Sequence, residues 1–156
     1  MIDVPLYMQG VDTAWCVPYS IQGVAEYYGL YYSRNQVIDA VKAHKTTGTY
    51  MEDFTDGVKE LGLKFERLKF NYTEVQKSLN AGIPVAISYQ NGKKESHFTV
   101  IIDAYKDYRG TEFYTLNDTY YGRINMPVEV IEVLVRKDVN FVYKSRSWAR
   151  KITKVS

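Results

Sequence analysis

An α+β domain is what this chain of 156 residues predicts. Three observations lead there: helical spacing dominates the first half, period-2 alternation dominates the second, and no repeat or linker-like run divides them. Helices from the N-terminal half are therefore expected to pack on a C-terminal antiparallel sheet. At this length a single core needs no disulfide or metal staple.

The run DVPLYMQ alternates apolar and polar residues and reads as a short opening strand or an extended arm. Pro18 suits the first turn of a helix, because its missing N–H would be unpaired there anyway. Val17 precedes a proline and is pushed away from helical angles, so Cys16 and Val17 sit at the helix mouth. Ile21, Val24, Ala25 and Tyr28 follow at helical spacing, and Gly29 is a natural stop. Ser33 is the N-cap of a second helix running to about His44, with Val37, Ile38 and Val41 inward. A loop holding Gly48 leads to a third helix on Phe54, Val58 and Leu61, closed by Gly62. LKFERLKF is a strand, and NYTEVQKSLNAG is a short helix ending at Gly82.

After Pro84 the pattern turns to strands. VAISYQ and SHFTVIIDAY flank an Asn-Gly pair, a strong hairpin signal. TEFYTLND and GRINMP are further strands. VEVIEVLV reads either way, with Pro127 favouring a helix start, and NFVYKS reads as the last strand. The body is expected over residues 1–145, leaving 146–156 as a basic, loosely held tail. Five basic positions counted from Lys144 mark it as a solvated terminus, with an anionic wall polymer or headgroup as the rival partner.

Composition excludes more than it assigns. A 46% apolar and 24% charged chain is globular rather than disordered. A net charge of +2 is too mild for nucleic acid. No apolar run approaches the ~20 residues that span a bilayer, and the N-terminus lacks a basic region followed by an apolar stretch. Neither a membrane span nor a signal peptide is expected. One cysteine forms no internal disulfide and, with two histidines, no structural zinc site. A monomer without metal or cofactor is the expectation.

Cys16 asks for more. A thiol becomes a strong nucleophile as a thiolate, and a helix N-terminus favours that anion. Against this stands the ordinary role of a lone cysteine, a small buried hydrophobe. His97 begins the apolar strand HFTVII and is either a satisfied core histidine or a general base at a sheet edge. His44, in a polar run, reads as an exposed loop residue. Asp118 follows the next strand, where antiparallel pairing brings it beside His97 to fix the ring's tautomer. Alone it would be a turn residue. Gln9, seven positions before Cys16, has an amide that can donate to an oxyanion, with the Cys16 backbone N–H as companion. Taken singly it is a polar residue ending a strand.

The set VPLYMQ…WCVPYSIQGVAEYYG, TTGTYMEDFTDGVKELGLKF, SHFTVIID and LNDTYYG resembles the C39-like branch of papain-fold cysteine peptidases, over about residues 3–145. The resemblance implies a papain-like fold, with Cys16 as nucleophile, His97 as base, Asp118 as orienter and Gln9 as oxyanion donor. It implies hydrolysis of an amide bond in a peptide or peptide-containing polymer through a thioester. The chain departs from that pattern at Val17, Tyr19 and Thr119, where the family usually has glycine, alanine and proline. The spacing from Gln9 to Cys16 is one residue longer than usual. A weaker likeness, around KTTGTY, is to archaeal cysteine endoisopeptidases that cut pseudomurein peptide cross-links in the cell envelope. Two rival readings remain from other classes. One is a catalytically silent peptide-binding domain with Tyr19 blocking the thiol, and the other is acyl transfer to an amine. The many tyrosines are read as ring packing at element ends, with a peptide- or glycan-lining role as the alternative.

Overall fold

The computed structural model describes residues 1–10, 13–44, 49, 51–90, 96–137 and 148–155. Three helices come first: α1 (Cys16–Tyr27), α2 (Arg34–Val41) and α3 (Met51–Glu60). Ser33 caps α2 as expected, its hydroxyl accepting from the Gln36 N–H at 3.2 Å while Gln36 Oε1 accepts from the Ser33 N–H at 2.8 Å. This reciprocal arrangement satisfies two otherwise open donors. The helix ends at Val41, short of His44, because Lys42 turns left-handed with φ 54°. His44 itself is exposed.

Next come β1 (Leu63–Arg67), α4 (Tyr72–Asn80), β2 (Val85–Gln90), β3 (Ser96–Lys106), β4 (Glu112–Asp118) and β5 (Gly122–Pro127). The chain then forms α5 (Val128–Lys137) and β6 (Trp148–Lys154). Asn71 caps α4 by accepting the Glu74 N–H at 2.9 Å. VEVIEVLV resolves as helix, since Val128, Ile131 and Val135 are buried at helical spacing. The strand LKFERLKF stops at Arg67, and Phe70 turns instead into the core packed with α4. The Gly48 loop, the Asn91-Gly92 pair and NFVYKS lie outside the described residues.

Among the described residues, one antiparallel sheet of six strands runs in the order β1-β6-β2-β3-β4-β5. It is covered on both faces. Phe98, Val100 and Ile102 of β3 point to one side, into a core with Ile21 and Val24 of α1, Val37 of α2 and Phe54 of α3. Ile101, Tyr114 and Leu116 point to the other, against Val75 of α4 and Ile131 of α5. The N-terminal helices thus cover one face, and two later helices cover the second.

One expectation is corrected here. The segment read as a loose basic tail is β6, paired with β1 on one side and β2 on the other. Trp148 and Ile152 enter the first core and Ala149 the second. Its cations are accommodated at the surface: Lys151 lies 3.8 Å from Glu66, and the Arg150 guanidinium sits over the Trp148 ring at 5.6 Å. Long basic side chains carry their charge out while their stems cover apolar area.

Residues 1–10 form no regular strand but an extended arm, tied down along its length. The Ile2 N–H donates to the Ile102 carbonyl at 3.1 Å. Asn117 Nδ2 donates to the Val4 carbonyl at 2.7 Å. The Gln9 N–H donates to the Thr119 carbonyl at 2.7 Å. Gly23 of α1 lets the arm pass: a Cβ there would lie 2.2 Å from the Pro5 carbonyl oxygen. No helix among the described residues is long and apolar enough to cross a membrane.

Candidate active site

Cys16 is the first residue of α1 and is half-buried. Trp15 precedes it as N-cap with no side-chain cap bond, and the first turn holds no acidic residue. The positive end of the helix is therefore left facing the thiol.

His97 comes from β3. Its strand partner in β2 is Tyr89. Val100 pairs with Asn117, which leaves Asp118 one strand over and diagonally opposite His97. Such diagonal neighbours are within side-chain reach on a pleated surface. His97 Nε2 lies 2.8 Å from Asp118 Oδ2, with the histidine side chain only 10% exposed and the carboxylate fully buried. With Nε2 committed to Asp118, Nδ1 is the ring nitrogen left for the Cys16 side chain, whose interaction with the imidazole helps to raise its pKa. Cys16, His97 and Asp118, far apart in the sequence, meet at one end of the sheet.

Asp118 is saturated with donors. Its Oδ1 accepts the Tyr120 and Tyr121 N–H groups at 2.8 and 2.9 Å. Its Oδ2 accepts from the Tyr89 hydroxyl at 3.0 Å as well as from His97. Burial acts to raise the carboxyl, but the His97 hydrogen bond, the His97 charge and the two backbone donors hold it below its ordinary 3.8. The His97 imidazole shows the complementary balance. Burial acts to lower it, yet the bonds and charges of Asp118 and Cys16 outweigh that and raise it to about 10. An imidazolium is thereby favoured beside the sulfur.

Tyr89 is the residue that sequence reasoning missed. It is buried, meets the His97 ring edge-on at 5.4 Å and donates to Asp118. Burial first, then the Asp118 charge, pushes its phenol well above the ordinary 10.0, so the hydroxyl keeps the proton it donates. The strand alternation in VAISYQ places it on the right face, but only the β2–β3 register puts it opposite His97.

Gln9 arrives on the arm. Its Nε2 donates to the Thr13 carbonyl at 2.7 Å, with a longer 3.4 Å approach to Thr13 Oγ1. Its Oε1 accepts from the Thr119 hydroxyl at 2.5 Å. A carbonyl only accepts, so the Thr13 contact fixes which end of the amide is NH₂. Tyr19, one turn into α1, is buried; the Arg34 guanidinium lies over its ring at 3.8 Å, and Trp15 stacks on it at 6.0 Å.

The fold is that of the papain-like cysteine peptidases. The bromelain protease from Ananas comosus, solved with the E64 inhibitor, superposes with a TM-score of 0.59 at 11% identity, covering 97% of this chain and 94% of that one. The match is better with two peptidase domains of transporters. The peptidase domain of Streptococcus ComA, a bi-functional ABC transporter involved in quorum sensing, gives a TM-score of 0.70 at 18% identity, covering 99% of this chain and all of that one (100%). A double glycine motif protease from an AMS/PCAT transporter, in complex with its leader peptide, gives 0.66 at 20% identity, covering 99% and 93%. The Peptidase_C39 like family matches residues 1–146, and the chain belongs to that family. It is a cysteine peptidase. No curated protein matches the chain.

Proposed function

We infer that the chain hydrolyses an amide bond in a peptide through Cys16, His97 and Asp118. The observation that carries this reading is the buried His97 ring, held on Nε2 by Asp118 at 2.8 Å and with the Cys16 side chain acting on its charge. That is the geometry a thiolate–imidazolium pair requires.

The Cys16 thiolate attacks the scissile carbonyl carbon. The oxyanion that forms takes hydrogen bonds from the Cys16 backbone N–H and from Gln9 Nε2, whose long 3.4 Å approach to Thr13 Oγ1 gives way. The imidazolium of His97 gives its proton to the leaving amine as the tetrahedral intermediate collapses to a thioester. His97, now neutral, takes a proton from water as the water oxygen attacks that thioester. Collapse releases the carboxylic acid product and restores the thiolate beside the imidazolium. Asp118 holds the ring's tautomer and balances its charge throughout.

A peptide is the substrate class the family supports, and one structural neighbour was solved with a leader peptide bound. The same steps act on an isopeptide cross-link of an envelope polymer. A panel of linear fluorogenic peptides beside isopeptide-linked ones separates the two, and mass spectrometry locates the cleaved bond. Rapid iodoacetamide alkylation of Cys16 at neutral pH is expected. Labelling at the rate of a free thiol would mean that no thiolate is held and that the domain only binds peptide. Trapping of product by added primary amines would mark acyl transfer in place of hydrolysis.

A further inference from the structure

We propose that Thr119 is the positioning residue for the oxyanion donor, locking the Gln9 amide into the one orientation that keeps an Nε2 N–H available to the reacting carbonyl. The proposal rests on the peptidase reading above and deepens it.

Gln9 is carried on an arm with no regular secondary structure, so its side chain needs to be held in place by contacts from elsewhere. Thr119 supplies two. Its carbonyl accepts the Gln9 backbone N–H at 2.7 Å, and its hydroxyl donates to Gln9 Oε1 at 2.5 Å. Thr119 is 1% exposed, so water does not compete for that hydroxyl. The side-chain bond determines the amide's sense: Oε1 is taken by the Thr119 hydroxyl, so the NH₂ end faces Thr13, whose carbonyl accepts at 2.7 Å while its Oγ1 stands at 3.4 Å, too long a contact to hold the second proton against an oxyanion. Thr119 also directly follows Asp118, whose Oδ1 fixes the next two backbone N–H groups. One turn therefore holds both the orienter of the base and the donor for the oxyanion, and the two halves of the site keep a constant relation.

The test uses Thr119→Val, which removes the hydroxyl at nearly constant volume and leaves the backbone contact to the arm. Turnover is expected to fall about tenfold in kcat, part of the 10²–10³ that such a donor contributes, with KM and the rate of Cys16 alkylation unchanged. Thr119→Ser should recover most of the loss. In a Gln9→Ala background, Thr119→Val should have no further effect, because there is nothing left to position. In ¹⁵N-resolved NMR the Gln9 Nε2 proton shifts should move in Thr119→Val toward those of a solvated glutamine amide, the two protons staying distinct because rotation about the amide C–N bond is slow. A Thr119→Val protein with wild-type kcat, or one whose loss adds in full to that of Gln9→Ala, overturns the proposal. If the wild type alkylates but cleaves no peptide, the peptidase reading fails and takes the positioning role with it, while the NMR comparison still reports whether the latch exists.

Discussion

Asp118 accepts four hydrogen bonds, and the residue-scale chemistry follows from where its charge goes. Its folded pKa lies below the ordinary 3.8, so its contribution to stability is present above that value and is lost as pH falls through the lower one. The folded His97 pKa lies above 6.5, so its contribution is complete below 6.5 and is lost as pH rises through about 10. The stability gap between wild type and Asp118→Asn in urea unfolding should therefore be widest near about pH 5–6 and narrow at alkaline pH, where the Tyr89, Tyr120 and Tyr121 bonds to the carboxylate remain. The pH profile of kcat/KM carries the same sign. In the proposed mechanism His97 protonates the leaving amine as imidazolium, so the alkaline limb should follow His97, and Asp118→Asn should move it to lower pH. Cys16→Ala and His97→Ala should abolish turnover while circular dichroism shows the fold retained. Tyr89→Phe keeps the ring edge on His97 but removes one bond to the carboxylate. A charge-assisted bond of about 1.5–3 kcal/mol sets an upper limit of roughly 10- to 100-fold on the loss of kcat/KM. At this scale the sequence was informative about Cys16 and His97, since a thiol at a helix mouth and an imidazole heading an apolar strand each stand out. It was silent on Tyr89, because its partner is set by strand register, which is a property of the pairing and not of either strand.

At the scale of elements, α1 and the arm form one working unit. The arm crosses α1 at Gly23, where a Cβ would meet the Pro5 carbonyl at 2.2 Å. Gly23→Ala should force the arm off the helix, at about 1–3 kcal/mol for an overpacked contact. Thermal unfolding would measure the loss, and because Gln9 rides on the same arm, kcat should fall with it. The helices were legible where cap and spacing agreed, as at Ser33, while the Asn71 cap of α4 emerged only with the fold. Boundaries failed where the backbone turned for reasons of its own: Lys42 ends α2 by entering the left-handed region, and Phe70 leaves β1 to fill the second core. β6 was hidden for a different reason. Arg150, Lys151 and Lys154 mask the alternation of Trp148 and Ile152 against Ala149, and charge there looked like solvation.

The whole molecule is a sheet buried on both faces, and its candidate site draws on parts far apart in the chain. Gln9 comes from the arm, Cys16 from the first helix, and His97 and Asp118 from neighbouring strands. The α+β class was legible because helical and strand periods separate along the sequence. The three-layer arrangement was not, since nothing local indicates that α4 and α5 cover the face opposite α1–α3. Removing residues 148–156 should leave β1 and β2 without their common neighbour and open both cores at Trp148, Ala149 and Ile152. Loss of cooperative unfolding and rapid proteolysis of the shortened protein are expected.

The mid-sheet position of β6 also sets an order of events during synthesis. A ribosome delivers β1 and β2 long before the strand that joins them, so the sheet stays split until Lys154 has cleared the exit tunnel. Closure then requires contacts of large sequence separation, the kind that slow folding. The thiol, imidazole and carboxylate accordingly have no closed sheet behind them until β6 has slotted between its two neighbours.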